Sequence, residues 1–306
     1  MSEVSFTGLA ERHALSGRAQ GHSPATLVWY SAHLRMFDDW RKVQGMPDTI
    51  PTEEAIETFI AAQFARGLSA STVLGRFRAL RAVLRFAESR KLITREENPI
   101  HGVKPPRVPK KRPRHVEHKD LTALLGAIRG NTWLDHRDRL ILQLLYFSGL
   151  RLGEVCGLQI GDVDLTRKEV FVRRGKGAKP RTVPIAPDLG ADYIAYVYSR
   201  PSTAPHLLLA VSGNLDRAGG PLKPAGLRMM VRRRCKAAGI PQFGPHSFRH
   251  GFAMFLRNNG TDLSDIAAAM GHTTTQVTQM YYAFTLAPAV HKAYNRALDR
   301  LLGKDE

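Results

Sequence analysis

Apolar side chains first recur at helical spacing after Ser23-Pro24, where Leu27, Tyr30, Leu34 and Phe37 fall three and four apart. Ser23 suits an N-cap. Pro24 suits the first helical position, because the N–H it lacks is one that a helix start leaves unbonded. The same period predicts a second helix over 52–66 with Phe59 and Ile60 inward, and a third over 70–90 with Val73, Phe77, Leu80 and Leu84 inward. Further helices are expected near 119–128, 137–148, 152–159, 189–199, 224–238, 246–258, 262–269, 273–282 and 286–302. In "EVFVRRGKGAKPRTVPIA" two alternating runs flank Gly-Lys-Gly, which reads as a β-hairpin. The last stretch carries an apolar stripe of Val290, Ala293, Tyr294, Ala297 and Leu301.

The helical pattern is interrupted once, by "KPPRVPKKRPRH" at 104–115, with four prolines, six Lys/Arg and no acid. Proline prevents helix there and the charge keeps the segment in water or on phosphate. The chain is therefore expected to be mainly α: an all-α domain over 1–105, a basic linker over 106–115, and a mixed, mainly α domain over 116–306 with a small antiparallel sheet.

Charge narrows the partner. The 306 residues hold 45 Lys+Arg against 27 Asp+Glu, a formal net charge of +18, while 43% apolar residues suffice for a real core. Such an excess points to a polyanion, nucleic acid first and an anionic membrane second. No apolar run approaches the roughly 20 residues of a membrane span, and the first residues lack the apolar region of a secretory signal. Cys156 and Cys235 match no metal spacing and read as reduced thiols, which fits a cytoplasmic protein. On the third helix Arg78, Arg81 and Arg85 fall within about 60° of one another, as a solvated face or a phosphate-facing stripe. Lys110, Lys111 and Arg112 of the linker are candidate phosphate contacts for the same reason.

Four short pieces can carry chemistry. In "HSFRH", His246 and His250 stand at i and i+4 as zinc ligands do, yet Arg249 lies between them where a metal site wants a carboxylate. His246 and Arg249 instead share a face suited to an oxyanion. In "SGLRLGEVCGL", Arg151 opens a helix and Glu154 follows at i+3, placed to fix the guanidinium; the pair reads equally as a surface ion pair. Lys176 sits between glycines at the hairpin tip, as a solvated turn or as a proton donor. "DLSDIAAAMGHTTTQVTQMYY" looks like a helix-turn-helix, which would make the chain a non-catalytic DNA-binding regulator.

Taken together these pieces resemble the tyrosine recombinases, the phage integrase family, in a two-domain, Xer-like form. The resemblance spans about 115–285 and rests on Arg in "GLRLGE", Lys in "GKGAKPRTVPI", His and Arg in "HSFRH", His in "MGH", and a Tyr nine residues later. The helical N-terminal half looks like the family's core-binding domain, with "ENPI" before a Pro- and Lys-rich linker. The resemblance implies a catalytic set of Arg151, Lys176, His246, Arg249, His272 and Tyr281, with Glu154 supporting Arg151. It implies site-specific cleavage and rejoining of double-stranded DNA through a 3′-phosphotyrosyl bond, in integration, excision or dimer resolution. It further implies a tetramer on paired sites, and neither a metal nor another cofactor. The count from His272 selects Tyr281 over Tyr282, which stands where the family usually has a small polar residue. A type IB topoisomerase shares the chemistry and is the nearest enzymatic alternative.

Overall fold

The computed structural model describes residues 4–109, 114–173, 180–186 and 188–271, without the side chains of 214–218. The chain divides into two compact units, residues 1–111 and 112–306, the break falling inside the Pro- and Lys-rich segment.

Among the described residues the first unit holds four α-helices, α1 (Phe6–Ala19), α2 (Pro24–Val43), α3 (Glu53–Ala65) and α4 (Ala70–Ser89). Each begins at a hydroxyl residue: Ser5, Ser23, Thr52 and Ser69 accept from the backbone N–H three positions on. Each such cap satisfies a donor the helix start would otherwise leave unbonded, for about 1 kcal/mol. The core they enclose is Phe6, Leu9, Leu34, Phe37, Ile56, Phe59, Phe77, Leu80, Val83 and Leu84, with Tyr30 and Ile60 packed at its margin. Phe37 meets Phe6 and Phe59 edge to face at 5.0 and 5.1 Å between ring centres. Helix α1 is absent from the sequence reading. It shows only Phe6 and Leu9 as bulky buried residues, and its third buried position is Gly17, too weak an apolar stripe to register.

Among its described residues the second unit is mainly α with two small antiparallel sheets. Its elements are α5 (His118–Gly126), α6 (Trp133–Phe147), α7 (Leu152–Gly157), β1 (Val163–Asp164), β2 (Glu169–Val172) and β3 (Arg181–Pro184), then α8 (Leu189–Ser199), β4 (Leu209–Ser212), β5 (Asn214–Pro221), α9 (Pro224–Ala237), α10 (Pro245–Asn258) and α11 (Leu263–Ala269). Helix α6 is the central post. Its last eight residues, Leu140 to Phe147, are all buried, so it must be covered on every side, and α5, α7, α8 and α10 pack on it. Its buried Asp138 is held by Arg137 at 2.7 Å and by Arg234 of α9 at 2.8 Å. Strands β2 and β3 form the expected hairpin, with Val170 opposite Val183 and Val172 opposite Arg181. The short β1 on its edge and the whole β4–β5 pair were not anticipated. The β4–β5 pair is irregular in register, which removes the clean alternation that a strand reading depends on. The helices expected over 273–282 and 286–302, with the terminal apolar stripe, lie outside the described residues. Among the described residues no helix is long and apolar enough to cross a membrane. Cys156 and Cys235 are free thiols.

Candidate active site

Helix α6 cannot continue past Ser148 because Gly149 adopts φ +56°, and the chain turns there into α7. That turn sets Arg151 at the N-terminus of α7, with Glu154 in its first turn. The Glu154 carboxylate accepts from the Arg151 backbone N–H at 2.8 Å and from Arg151 Nη1 at 2.9 Å. One residue absent from the sequence reading completes its coordination. Arg181, the first residue of β3, donates from Nη1 and Nη2 to the two oxygens of Glu154, both at 2.8 Å. Each Glu154 oxygen thus accepts two bonds, the full capacity of a carboxylate. Burial would raise the Glu154 pKa, but the hydrogen bonds from Arg181 and Arg151 and the adjacent positive charge overcome it, and the group falls to about 2.

Arg181 was legible in principle. In "RTVPI" the alternation places Arg181 on the same strand face as buried Val183, and a charged residue on an inward strand face requires a buried partner.

Arg151 and Arg249 converge on one short stretch of backbone. Arg151 Nη2 donates to the Gly271 carbonyl at 3.0 Å. Arg249, on α10 and 5% exposed, donates from Nη2 to the neighbouring Met270 carbonyl and from Nη1 to the Gly149 carbonyl. Two guanidiniums therefore meet at adjacent acceptors in the turn that ends α11, immediately before His272. Arg151 keeps 22% of its side chain exposed, which leaves it reachable from solvent. Planar guanidiniums held in this way suit an incoming phosphoryl group, whose oxygens match their paired donors.

His246 lies in the first turn of α10, one helical turn before His250. His246 is exposed, yet partial burial of the ring, then Arg249, Arg228 and Arg151, hold its pKa below the usual imidazole value. His250 is lowered to about 4 by burial first, then by His246, Arg249 and His115. The structure thus gathers Arg151, Glu154, His246 and Arg249, and adds Arg181. Lys176, His272 and Tyr281 lie outside the described residues, as do Lys110, Lys111 and Arg112. In the first unit Arg78 and Arg85 are exposed and Arg81 is half-buried, its guanidinium 5.8 Å from the Phe77 ring centre.

The two lowered pKa values give opposite groups the same consequence in acid. Unfolded His250 takes up its proton near its ordinary value and folded His250 only near 4, so stability falls as pH drops through that interval. Glu154 adds a second loss that begins below its ordinary value and ends near 2. Melting temperature is expected to decline already between pH 6.5 and 4, and His250→Gln to flatten that interval. A wild-type profile flat down to pH 4 would contradict the assignment.

Comparison with known proteins identifies the family. Residues 114–286 match the model of the phage integrase family. The tyrosine recombinase XerC of Halalkalibacterium halodurans is 33% identical over 275 residues, covering 86% of this chain and 88% of its own. The tyrosine recombinase XerA of Thermococcus kodakarensis is 31% identical over 287 residues, covering 93% of this chain and 94% of its own. A lambda integrase dimer (residues 75–356) bound to a COC′ core site has the same fold, with a TM-score of 0.69 at 17% identity over 90% of this chain and 97% of the other. XerH bound to palindromic difH in a post-cleavage complex superposes with a TM-score of 0.68 at 20% identity over 97% and 85%. With more than half of its length matched by the family model and relatives above 30% identity along most of it, the chain belongs to the phage integrase family of tyrosine recombinases.

Proposed function

We propose that the protein is a site-specific DNA recombinase that cuts and rejoins duplex DNA through a covalent 3′-phosphotyrosyl intermediate. The observation that carries this reading is the meeting of Arg151 and Arg249 at the turn immediately before His272. Tyr281 Oη attacks the scissile phosphorus and the P–O5′ bond breaks. Lys176 delivers a proton to the departing 5′-oxygen, and His246 takes up the phenolic proton. Its lowered pKa keeps the imidazole neutral and able to accept at neutral pH. Arg151 and Arg249 bind the non-bridging oxygens and stabilise the charge that grows on them. His272 donates to the same phosphate. The bond energy stays in the phosphotyrosine, and the reverse attack by a 5′-hydroxyl of another strand completes exchange.

In this reading residues 1–105 form the core-binding domain, 106–115 a linker along the phosphate backbone, and 116–306 the catalytic domain. Arg78, Arg81 and Arg85 contact DNA. Four copies act on two synapsed sites, in the cytoplasm where the chromosome lies.

The test is a duplex nicked beside the cleavage position, from which the short 5′-hydroxyl strand diffuses away and traps the adduct. The site is found by sequencing DNA recovered from covalent complexes. A denaturation-resistant adduct and strand exchange between two duplexes are expected. Adduct without exchange would make the protein a relaxing enzyme, and binding without adduct would make it a regulator.

The linker gives a separate prediction. Replacing Lys110, Lys111 and Arg112 together by Ala is expected to flatten the plot of log affinity against log salt by up to about 2.7, since each neutralised phosphate contributes roughly 0.9. An unchanged slope would show that the linker does not touch phosphate.

A further inference from the structure

We infer that Arg181 is a positioning residue for the phosphate-binding arginine, locking Arg151 in place through Glu154 from the opposite side. This rests on the recombinase reading above, and adds to it a residue outside the six-member catalytic set.

Three contacts carry the inference. Arg181 grips Glu154 with a two-pronged, two-bond fork, the geometry in which guanidinium and carboxylate hold each other in a fixed plane. The same carboxylate fixes Arg151 at its backbone N–H and at Nη1, so the plane Arg181 imposes is the plane in which Arg151 is held. On its other side Arg181 lies against Gly271: a methyl group there would stand 3.3 Å from Nε and 3.4 Å from Cδ and Cζ. Gly271 is the residue whose carbonyl Arg151 binds and that precedes His272. Arg181 therefore joins β3, the first turn of α7 and the end of α11.

The carboxylate fork decides between this role and direct binding of DNA, because the charge of Arg181 is already matched by Glu154. The Arg181 side chain is 15% exposed and Glu154 4%, and both terminal nitrogens of Arg181 already face Glu154. Arg151, at 22%, is the more accessible partner. A residue so placed acts on the phosphate through Arg151. Without Arg181 the carboxylate keeps one cation instead of two and is free to rotate, and Arg151 loses its orientation while keeping its charge.

The experiment uses the full chain and the nicked duplex, with single-turnover adduct formation at saturating DNA, DNA affinity and thermal melting measured in parallel. Arg181→Gln is expected to slow adduct formation about 100-fold, the scale on which a misplaced reacting group costs rate, and to change DNA affinity by less than about threefold. Arg181→Lys, which restores charge without the fork, is expected to recover about 10-fold of that loss. In an Arg151→Lys background, Arg181→Gln is expected to add less than about twofold, because the two act as one unit. Should Arg181→Gln melt too early to assay, the loss in Arg181→Lys and its non-additivity with Arg151→Lys decide. Wild-type rates in both Arg181 variants, costs that simply add to that of Arg151→Lys, or a defect abolished by more DNA would each overturn the inference. If the wild-type protein itself forms no adduct, the recombinase reading falls and takes this one with it. An adduct with wild-type protein alongside an unimpaired Arg181→Gln overturns this one alone.

Discussion

Tyr281→Phe is expected to bind duplex DNA with wild-type affinity and to form no detectable covalent adduct on the nicked substrate. The substitution removes one oxygen, and only the nucleophile is intolerant of that loss. Tyr282→Phe is expected to cleave at close to the wild-type rate. In the helix expected over 273–282 adjacent residues would point about 100° apart, so only one phenol of the pair would face the phosphate. Both tyrosines lie outside the described residues, and the choice between them follows from the spacing to His272. Retention of the adduct by Tyr281→Phe and its loss in Tyr282→Phe would shift the register by one residue and leave the rest of the site in place.

The second large effect is on stability. Gly149→Ala is expected to destabilise the catalytic unit by about 2–5 kcal/mol, combining the left-handed backbone cost with overpacking of a rigid neighbour. Gly149 sits at φ +56°. A Cβ there would stand 2.7 Å from Cε1 and 2.9 Å from Cγ of Phe252, and closer still to Cδ1. Phe252 is 1% exposed and packed with Phe255, Leu256, Ile266 and Met270, so the ring has no room to retreat. The melting temperature is expected to fall by roughly 10 °C, at a few degrees per kcal/mol for a unit of this size. Adduct formation should fall as well, because the Gly149 carbonyl is an acceptor for Arg249. A shift of less than about 2 °C would mean that α10 gives way to the extra methyl.

The legible parts of the sequence were those whose signal is local. Ser23-Pro24 announces α2 because the cap and the first helical residue are adjacent, and the Glu154 pairing with Arg151 needs only the i, i+3 rise of one turn. Helix α1 was missed because part of its support is tertiary: Phe6 meets Phe37 edge to face, 31 residues on, and its cap Ser5 also donates to Asp48. The β4–β5 pair was missed because its register is irregular. Arg181 was overlooked for a different reason. Its partner lies 27 residues earlier, across a helix and a hairpin, and only a folded sheet brings the two together. The neighbouring "GKG" drew the chemical reading toward the lysine, while the inward strand face that marks Arg181 depends on knowing which way β3 turns.

Two acceptors for Arg249 are main-chain oxygens, at Gly149 and Met270, and one acceptor for Arg151 is the Gly271 carbonyl. No codon change can delete a carbonyl. Replacing Met270 alters the packing of the apolar cluster at the end of α11 and leaves the acceptor standing. The arginines are thus insulated from most single substitutions on the side they share with α11. What stays open to drift is shape, concentrated at the two glycines whose positive φ angles aim these oxygens. For anyone diversifying this enzyme toward new DNA targets, that divides the pocket in two. Apolar replacements of Met270 leave its carbonyl in place, whereas Arg181, His272 and the two glycines belong outside every library.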